Sequence, residues 1–208
     1  AAACSDTILN VWNLASRTIA QSYSGVSAIA AAISKDGKYL AGGNTNVEIF
    51  DLGQKKKIVS SKGHQNRITG IDWMPRRNLV ATASGDGTVR IWNEKGDSVK
   101  TINSITGSPY SVVFTPDGKK MIVGMSNGKV KLYDTGNWKE TDSVQSGSSL
   151  LNLKIDEMGK YILTSGDKGQ LFLWNLKNHQ PPRQLKGHTN NIYGVSFHPN
   201  GRYAISAS

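Results

Sequence analysis

Residues 63–105 read GHQNRITGIDWMPRRNLVATASGDGTVRIWNEKGDSVKTINSI, and this stretch predicts four short β-strands separated by turns. Runs rich in β-branched, aromatic and other apolar residues place the strands at residues 68–74, 79–84, 88–92 and 99–102. The Asp86-Gly87 pair predicts a tight hairpin between the second and third strands, because both residues tolerate the positive φ angles of a two-residue turn. The stretch is therefore expected to form one small antiparallel sheet.

The same unit returns along the chain at a nearly constant interval. Five strand-like runs end in an aromatic residue followed by Asn or Asp, at Trp12-Asn13, Phe50-Asp51, Trp92-Asn93, Tyr133-Asp134 and Trp174-Asn175. The aromatic residues are 38, 42, 41 and 41 positions apart, which indicates a structural repeat. Because turn residues recur about every eight to twelve positions, no amphipathic helix of ordinary length fits between them. The predicted fold class is all-β.

Each predicted sheet needs neighbours, because a four-stranded sheet cannot bury both of its apolar faces alone. The runs of small residues at 28–33 and 80–83 fit the crowded strands nearest a common axis. Trp12, Trp92 and Trp174 are expected to fill the wider spaces between sheets, where each side chain would bury about 150 to 250 Å². The sequence therefore predicts sheets that stack face to face around an axis.

Further residues mark the repeat, and they are Gly63-His64, Gly187-His188 and the turn residues Asp6, Asp86 and Asp167. Together with the five aromatic pairs, these residues resemble the WD-repeat β-propeller family over essentially the whole chain. The resemblance implies that each four-stranded sheet is a blade of a propeller. It also implies one hydrogen-bonded network inside a blade, formed by His64, Asp86, Trp92 and either Thr82 or Ser84.

The other repeats depart from the family pattern. The turn Asp is replaced by Asn44 and Asn127, and the Trp by Phe50 and Tyr133. In the repeat that ends at Trp174, the turn is one residue longer than in the repeat of Asp86. The complete network is therefore expected only in the repeat that opens at Gly63.

The repeat also predicts how the chain is organised. Four complete repeats are expected at about 25–63, 64–107, 108–148 and 149–188, with partial repeats at 1–24 and 189–208. The simplest interpretation is a segment of a longer propeller, which commonly has seven blades in the family that the chain resembles. A rival interpretation is closure into five blades, in which a strand at 192–197 joins the strands at 8–21.

Composition limits the class of protein further. The 208 residues are 38% hydrophobic, which is ample for a packed core, and no apolar run approaches the ~20 residues of a membrane span. The single cysteine, Cys4, excludes an internal disulfide and suits a reducing compartment. An intracellular location, either cytoplasmic or nuclear, is the expectation.

The formal net charge of +10 allows two interpretations. Basic residues are concentrated in the turns between first and second strands and between third and fourth strands, an edge that we call the basic rim. They are Lys35, Lys38, Lys55, Lys56, Lys57, Arg76, Arg77, Lys119, Lys120, Lys139, Lys160 and Lys177. Acidic residues occupy the same turns, so ordinary solvated turns are favoured, and attraction of a nucleic acid or an acidic protein is the alternative.

Motifs for catalysis or metal binding are not found. His64 and His188 hold the same position of the repeat, which indicates an architectural role. No histidine has a cysteine or second histidine at metal-ligand spacing, and no Gly-x-Ser-x-Gly elbow occurs. Residues 124–129 are too short for a phosphate-binding loop. We expect no catalytic residue, no metal site, no cofactor and no small-molecule substrate.

The predicted binding surface is the opposite edge, where fourth strands pass to first strands and second strands turn to third strands, and we call this edge the docking rim. The candidate contact residues there are Asn66, Arg67, Ser108, Tyr110, Ser148, Asn190, Asn191 and Tyr193. Tyr and Arg are enriched at binding hot spots, so Arg67, Tyr110 and Tyr193 rank first. The predicted function is a non-enzymatic scaffold for proteins or peptides in a multi-subunit assembly, and a nucleic-acid-associated subunit is the alternative.

Overall fold

The computed structural model describes residues 2–5, 7–103, 106–147, 149–178 and 180–208, and for residues 2–5 it describes the backbone alone. The described residues form β-strands and turns without a helix. They accordingly include no helical segment of the length and hydropathy that a membrane span requires. The chain divides into two compact units, Ala1–Asn103 and Ser104–Ser208.

The first unit contains one three-stranded and two four-stranded antiparallel sheets within its described residues. The three-stranded sheet comprises β1 (Ala2–Ser5), β2 (Ile8–Asn13) and β3 (Thr18–Ser24). The next comprises β4 (Ala30–Ile33), β5 (Tyr39–Gly43), β6 (Val47–Asp51) and β7 (Lys56–Ser61). The third comprises β8 (Ile68–Trp73), β9 (Leu79–Ser84), β10 (Thr88–Asn93) and β11 (Ser98–Asn103).

The second unit contains two four-stranded sheets and one pair of strands within its described residues. The first sheet comprises β12 (Pro109–Phe114), β13 (Lys120–Met125), β14 (Lys129–Asp134) and β15 (Glu140–Gln145). The next comprises β16 (Asn152–Ile155), β17 (Tyr161–Ser165), β18 (Leu171–Asn175) and β19 (Arg183–Gln184). The pair comprises β20 (Gly194–Phe197) and β21 (Ala204–Ala207).

In every sheet, strands that are consecutive in sequence pair antiparallel, so each sheet is a meander. The hairpin predicted at Asp86-Gly87 is confirmed, and Gly87 has a φ of 86°. The register shifts between third and fourth strands directly before the aromatic residue, as between Ile91 and Trp92. The same shift occurs before Trp12, Phe50 and Tyr133. Such a bulge bends the strand and changes the direction of the aromatic side chain.

Within each unit the sheets pack against one another, as the sequence predicts. In the first unit β4 lies against β8, and the indole Nε1–H of Trp73 donates to the carbonyl of Ala32 across the two sheets at 3.0 Å. In the second unit β12 lies against β16, and a Cβ placed on Gly124 would lie 2.8 Å from Leu150 Cδ1. A larger residue at position 124 would therefore require the Leu150 side chain to move.

The tryptophans of the repeat are not equally buried. Trp92 is 2% exposed and Trp174 is 6% exposed, and each packs among apolar residues of the sheet that precedes its own. The expectation that Trp12 is buried between sheets is wrong, because its side chain is 39% exposed. Leu9 and Val11 face the sheet that follows, and within the described part of the first unit no sheet precedes β1 to cover the opposite face.

Candidate functional site

The sheet β8 to β11 and its adjoining connections contain the hydrogen-bonded network that the family resemblance implies. His64 Nδ1 lies 2.8 Å from Asp86 Oδ2, and His64 Nε2 lies 2.7 Å from Thr82 Oγ1. The indole Nε1–H of Trp92 donates to the same Thr82 oxygen at 2.9 Å. Thr82 therefore completes the network. Ser84, the other residue that the sequence left open, donates instead to the carbonyl of Asn66 at 3.0 Å.

The donors and acceptors of the network fix the state of His64. An indole N–H can only donate, so Thr82 Oγ1 accepts from Trp92 and gives its own hydrogen to His64 Nε2 at 2.7 Å, the closer acceptor, with the Arg90 carbonyl more distant at 3.4 Å. His64 then carries its proton on Nδ1 and donates it to the Asp86 carboxylate. This arrangement needs a neutral imidazole, and burial of the ring lowers the pKa of His64 although the Asp86 carboxylate opposes that effect.

The Asp86 carboxylate is stabilised in its charged form. Burial acts to raise its pKa, but hydrogen bonds from Thr88, the backbone N–H of Gln65 and His64 outweigh this effect and lower the pKa to about 2. Oδ1 accepts from Thr88 Oγ1 at 2.7 Å, and Oδ2 accepts from the Gln65 N–H at 3.0 Å. One turn residue thus ties the third strand to the connection that enters the first strand.

We predict that acidification destabilises the protein in two stages. Between about pH 7 and pH 5 the unfolded chain protonates His64 near its ordinary pKa of about 6.5, while the folded protein resists protonation, so the free energy of unfolding falls. Below about pH 4, Asp86 adds a second loss that continues to its folded pKa of about 2. Urea unfolding at a series of pH values measures both stages.

The variant His64→Gln is the control for the first stage. It removes the titrating imidazole, so its stability is expected to change little between about pH 7 and pH 5. If the wild-type free energy of unfolding is constant over that interval, His64 is not held neutral by burial, and the assignment of protons in the network is wrong.

The other repeats keep only fragments of this network. His188 Nε2 lies 2.8 Å from Ser206 Oγ, with the same 18-residue separation as His64 and Thr82. In the repeat that contains Trp174, Ser146 occupies the position that His64 has in its own repeat. The Ser146 hydroxyl forms a hydrogen bond with the Thr164 hydroxyl. Among the described residues, the buried indole Nε1–H of Trp174 has no hydrogen-bond partner. Asp6, which the sequence places in the corresponding turn of the first repeat, lies outside the described residues.

On the docking rim of the first unit, the turn before β8 carries Asn66 and Arg67. Three hydrogen bonds hold its backbone, because Asp86 accepts from Gln65, Asn66 O accepts from Ser84, and Arg67 O accepts from the Gly85 N–H. The side chains of Asn66 and Arg67 are exposed. Among the described residues, no group accepts a hydrogen bond from the Arg67 guanidinium. A fixed backbone here presents a free cation to solvent.

On the docking rim of the second unit, Asn190, Asn191 and Tyr193 lie together. Asn191 Nδ2–H donates to Tyr193 Oη at 3.2 Å, and Asn152 Nδ2–H donates to the Tyr193 carbonyl at 3.1 Å. Tyr193 is nevertheless 68% exposed. The carbonyl of Asn190 accepts from the Gly169 N–H at 2.7 Å, and a Cβ on Gly169 would lie 1.9 Å from the His188 carbonyl oxygen. Two loops are thus locked together beside the exposed tyrosine.

The remaining candidates differ in exposure. Ser108 is half-buried, and its backbone exchanges hydrogen bonds with Ser126. Tyr110 is half-buried because its ring packs against the core cluster around Leu150 and Leu153. Ser148 lies outside the described residues. The sequence missed Asn152, whose strand position gave no sign that its amide would brace Tyr193.

Among the described residues, His, Cys, Asp and Glu side chains form no group of the size that holds a metal ion. The polar side chains of the network are occupied by one another, and on the docking rim the Asn191 amide bonds to the Tyr193 hydroxyl. What these arrangements do chemically is to hold Arg67 on a braced turn of the first unit, and Tyr193 with its neighbouring amides on a braced loop of the second unit.

Repeated four-stranded meanders, each with its aromatic residue at the end of the third strand, define a repeat protein built of propeller blades. A sequence model of the family described as WD domain, G-beta repeat, matches residues 55–93, 96–134 and 179–208, just over half of the chain. The chain belongs to the WD-repeat family.

Several curated proteins resemble the chain along much of its length. It is 26% identical to Target of rapamycin complex subunit wat1 of Schizosaccharomyces pombe, over 94% of this chain and 65% of that protein. It is also 26% identical to Target of rapamycin complex subunit LST8 of Saccharomyces cerevisiae, over 82% of this chain and 57% of that protein. THO complex subunit 3 of Arabidopsis thaliana is 25% identical to the chain, over 72% of this chain and 48% of that protein. The chain thus spans about half to two thirds of these relatives.

Proposed function

We propose that this protein is a non-enzymatic scaffold that holds other proteins or peptides within a multi-subunit assembly, and that it docks them on the docking rim. The observation that carries the proposal is Tyr193, which is exposed although hydrogen bonds hold its backbone and its hydroxyl. The names of the relatives support it, because wat1, LST8 and THO complex subunit 3 are each described as a subunit of a complex.

Pre-organisation favours docking on this edge. A tyrosine offers a large apolar ring and a hydroxyl with few rotatable bonds, so little conformational entropy is lost when a partner covers it. The bonds from Asn152 and Asn191 reduce that loss further because they already restrict Tyr193 in the free protein. Arg67 supplies a charged group on an equally braced loop of the first unit.

The absence of catalysis is part of the proposal. His64 resembles a catalytic base only in residue type, since both ring nitrogens are engaged in a buried network that links the strands. The repeats at about 25–63, 64–107, 108–148 and 149–188, the flanking partial repeats, and a cytoplasmic or nuclear location belong to the same proposal. The location is supported by the single cysteine.

The alternative of a nucleic-acid-associated subunit is supported by the net charge of +10 alone. Nucleic-acid binding that depends on phosphate contacts weakens steeply as salt is added. Binding of a protein or peptide on the docking rim is expected to tolerate salt far better, because tyrosine and amide groups contribute most of the contact.

We predict that Arg67→Ala and Tyr193→Ala, separately and together, remove partners from the purified assembly. Each truncation of a hot-spot residue costs at least about 2 kcal/mol, which corresponds to a roughly thirtyfold loss of affinity. The measurement is quantitative mass spectrometry of the material that co-purifies with the tagged full-length protein, after circular dichroism has shown that the variants are folded.

The matched control is Arg77→Ala with Tyr203→Ala. These two residues are of the same types, are exposed, and lie in turns on the basic rim of the first and second units. The control is expected to retain every partner. If all partners survive Arg67→Ala with Tyr193→Ala, the docking rim is not the binding surface.

A further inference from the structure

A groove on the basic rim of the second unit combines apolar residues with unpaired lysines. It has a volume of about 340 Å³ and lies between the turn that joins β12 to β13, the turn that joins β16 to β17, and the end of β18. Its lining includes Pro116, Met158 and Leu176 on the apolar side, and Lys119, Lys120 and Lys177 on the basic side. The groove is therefore suited to a ligand that is both apolar and anionic.

The ammonium group of Lys119 attracts the neighbouring Asp117 carboxylate, but the three lysines are not closely paired. Within the described part of the chain, none of their ammonium groups forms an ion pair. The carboxylate that lines the groove, Asp117, accepts hydrogen bonds from Thr115 Oγ1 at 2.6 Å and from the Lys119 N–H at 3.0 Å. Its charge is thus partly used to close its own turn.

Two other carboxylates lie close to the groove. Asp156 is buried, and its Oδ1 accepts from the N–H groups of Lys160 and Tyr161 at 2.7 Å each. Glu157 is exposed beside Met158. Asp134 is a further neighbour, because it pairs with Lys120 between β13 and β14, and its Oδ1 accepts from the Gly136 and Asn137 N–H groups. With Lys160 included, four lysines and four carboxylates belong to the groove or to its adjoining turns, and Asp117, Asp134 and Asp156 are engaged with backbone N–H groups. The lysine ammonium groups at the groove are therefore less engaged within the protein than the carboxylates are.

The turn from β16 to β17 does not require the exposed side chain of Met158. In the turn from β4 to β5, Asp36 closes the turn by accepting from Ser34 and from the Lys38 N–H, and Asp117 does the same in the turn from β12 to β13. Met158 occupies the corresponding position before Gly159, while Asp156 closes that turn instead. A methionine that is 80% exposed in place of a solvated aspartate adds apolar surface where the turn needs none.

The equivalent groove of the first unit lacks this combination. It has a volume of about 160 Å³ and is lined by Asp36, Arg76 and Arg77, but its methionine, Met74, is only 5% exposed. Basic turns therefore recur along the chain, whereas an apolar anchor among unpaired lysines is found, within the described residues, in the groove of Met158.

We propose that the groove of Met158 binds an acidic peptide segment of a partner protein, with an apolar side chain of the peptide against Met158 and Leu176 and its carboxylates against Lys119, Lys120 and Lys177. Charge complementarity selects an anionic partner. The apolar lining favours a peptide over a nucleic acid, because a phosphate backbone gains nothing from contact with methionine and leucine side chains. This surface is separate from the docking rim.

The test uses fluorescein-labelled peptides of about ten residues on the full-length protein. One set consists of Glu and Asp around a single central Leu, Phe or Trp, and a matched peptide carries Ser at the centre. Fluorescence anisotropy at about 50 mM salt measures binding, since surface charges are little screened there. We expect Lys119→Glu with Lys177→Glu to weaken the apolar-centred peptides at least about tenfold.

Met158→Ser separates the apolar contribution from charge alone. It is expected to weaken the apolar-centred peptides about fivefold and to leave the Ser-centred peptide unchanged. Lys95→Glu with Lys100→Glu makes the same change of net charge at exposed positions of the first unit, and binding is expected to stay within about twofold of wild type.

Two results would overturn the proposal. The first is that no acidic peptide binds at about 50 mM salt. The second is that an oligouridylate of equal charge binds as tightly as the peptides and that Met158→Ser changes none of these affinities, which would make the groove a general polyanion surface. Arg67 and Tyr193 are unchanged in every variant, so either failure leaves the docking rim untouched.

Discussion

Replacing Trp92 with Ala is expected to lower the free energy of unfolding by about 3 to 5 kcal/mol. The indole is 2% exposed and packs among Ala41, Ile49 and Val80, so its removal leaves a cavity between two sheets of the first unit. It also leaves Thr82 without the donor that lies at 2.9 Å. Urea unfolding followed by circular dichroism measures the loss.

Trp12→Ala is the matched control, because it makes the same substitution at the same position of the repeat in the same unit. The Trp12 side chain is 39% exposed, and its outer face has no covering sheet within the described residues. The expected cost is about 1 kcal/mol. Equal costs for the two substitutions would contradict the packing described for Trp92.

Replacing Thr82 with Val is expected to cost about 2 to 6 kcal/mol, although valine has nearly the same shape as threonine. The change leaves two buried groups without partners, the indole N–H of Trp92 and Nε2 of His64, and each unsatisfied group costs about 1 to 3 kcal/mol. In a Trp92→Phe background the indole N–H is already absent, so Thr82→Val is expected to cost less there.

Thr164→Val is the control in the second unit. The indole N–H of Trp174 already lacks a partner among the described residues, and Thr164 bonds only to the hydroxyl of Ser146 within this network. The expected cost is about 1 to 3 kcal/mol, because one buried group, the Ser146 hydroxyl, loses its partner where Thr82→Val deprives two. If Thr164→Val is as costly as Thr82→Val, the complete network does not provide the stability assigned to it.

The repeat and its strands were readable from the sequence because they depend on local composition. The second strand of the central repeat was predicted at 79–84 and is observed at Leu79–Ser84, and the Asp86-Gly87 hairpin follows from backbone preference. The choice between Thr82 and Ser84 could not be made, because residues two apart point to the same face of a strand. In the structure Thr82 pairs with Arg90, which is two residues before Trp92. This pairing brings Thr82, and not Ser84, within reach of the indole.

Features that depend on neighbouring sheets could not be predicted from the sequence. Trp12 has the same local pattern as Trp92, and only the sheet that precedes each one determines whether the indole is buried. The bulge before Trp12, Phe50, Trp92 and Tyr133 also has no local signal, since it arises from pairing with the fourth strand.

Part of the candidate binding site could be predicted from the sequence. Topology places Asn190, Asn191 and Tyr193 on one edge, and their position there follows from strand direction alone. The bond from Asn152 to the Tyr193 carbonyl spans 41 residues and joins β16 to the loop before β20, so a single repeat does not predict it. The role of these residues in docking stays a prediction.

The most direct measurement of that role is site-specific photo-crosslinking in the full-length protein within its purified assembly. Tyr193 is replaced by p-benzoylphenylalanine in one sample and Tyr203, which is 69% exposed, in the other. Crosslinks to a partner from position 193 and none from position 203 are the predicted result. An intact assembly that yields crosslinks only from position 203, or none from position 193, would contradict docking on this rim.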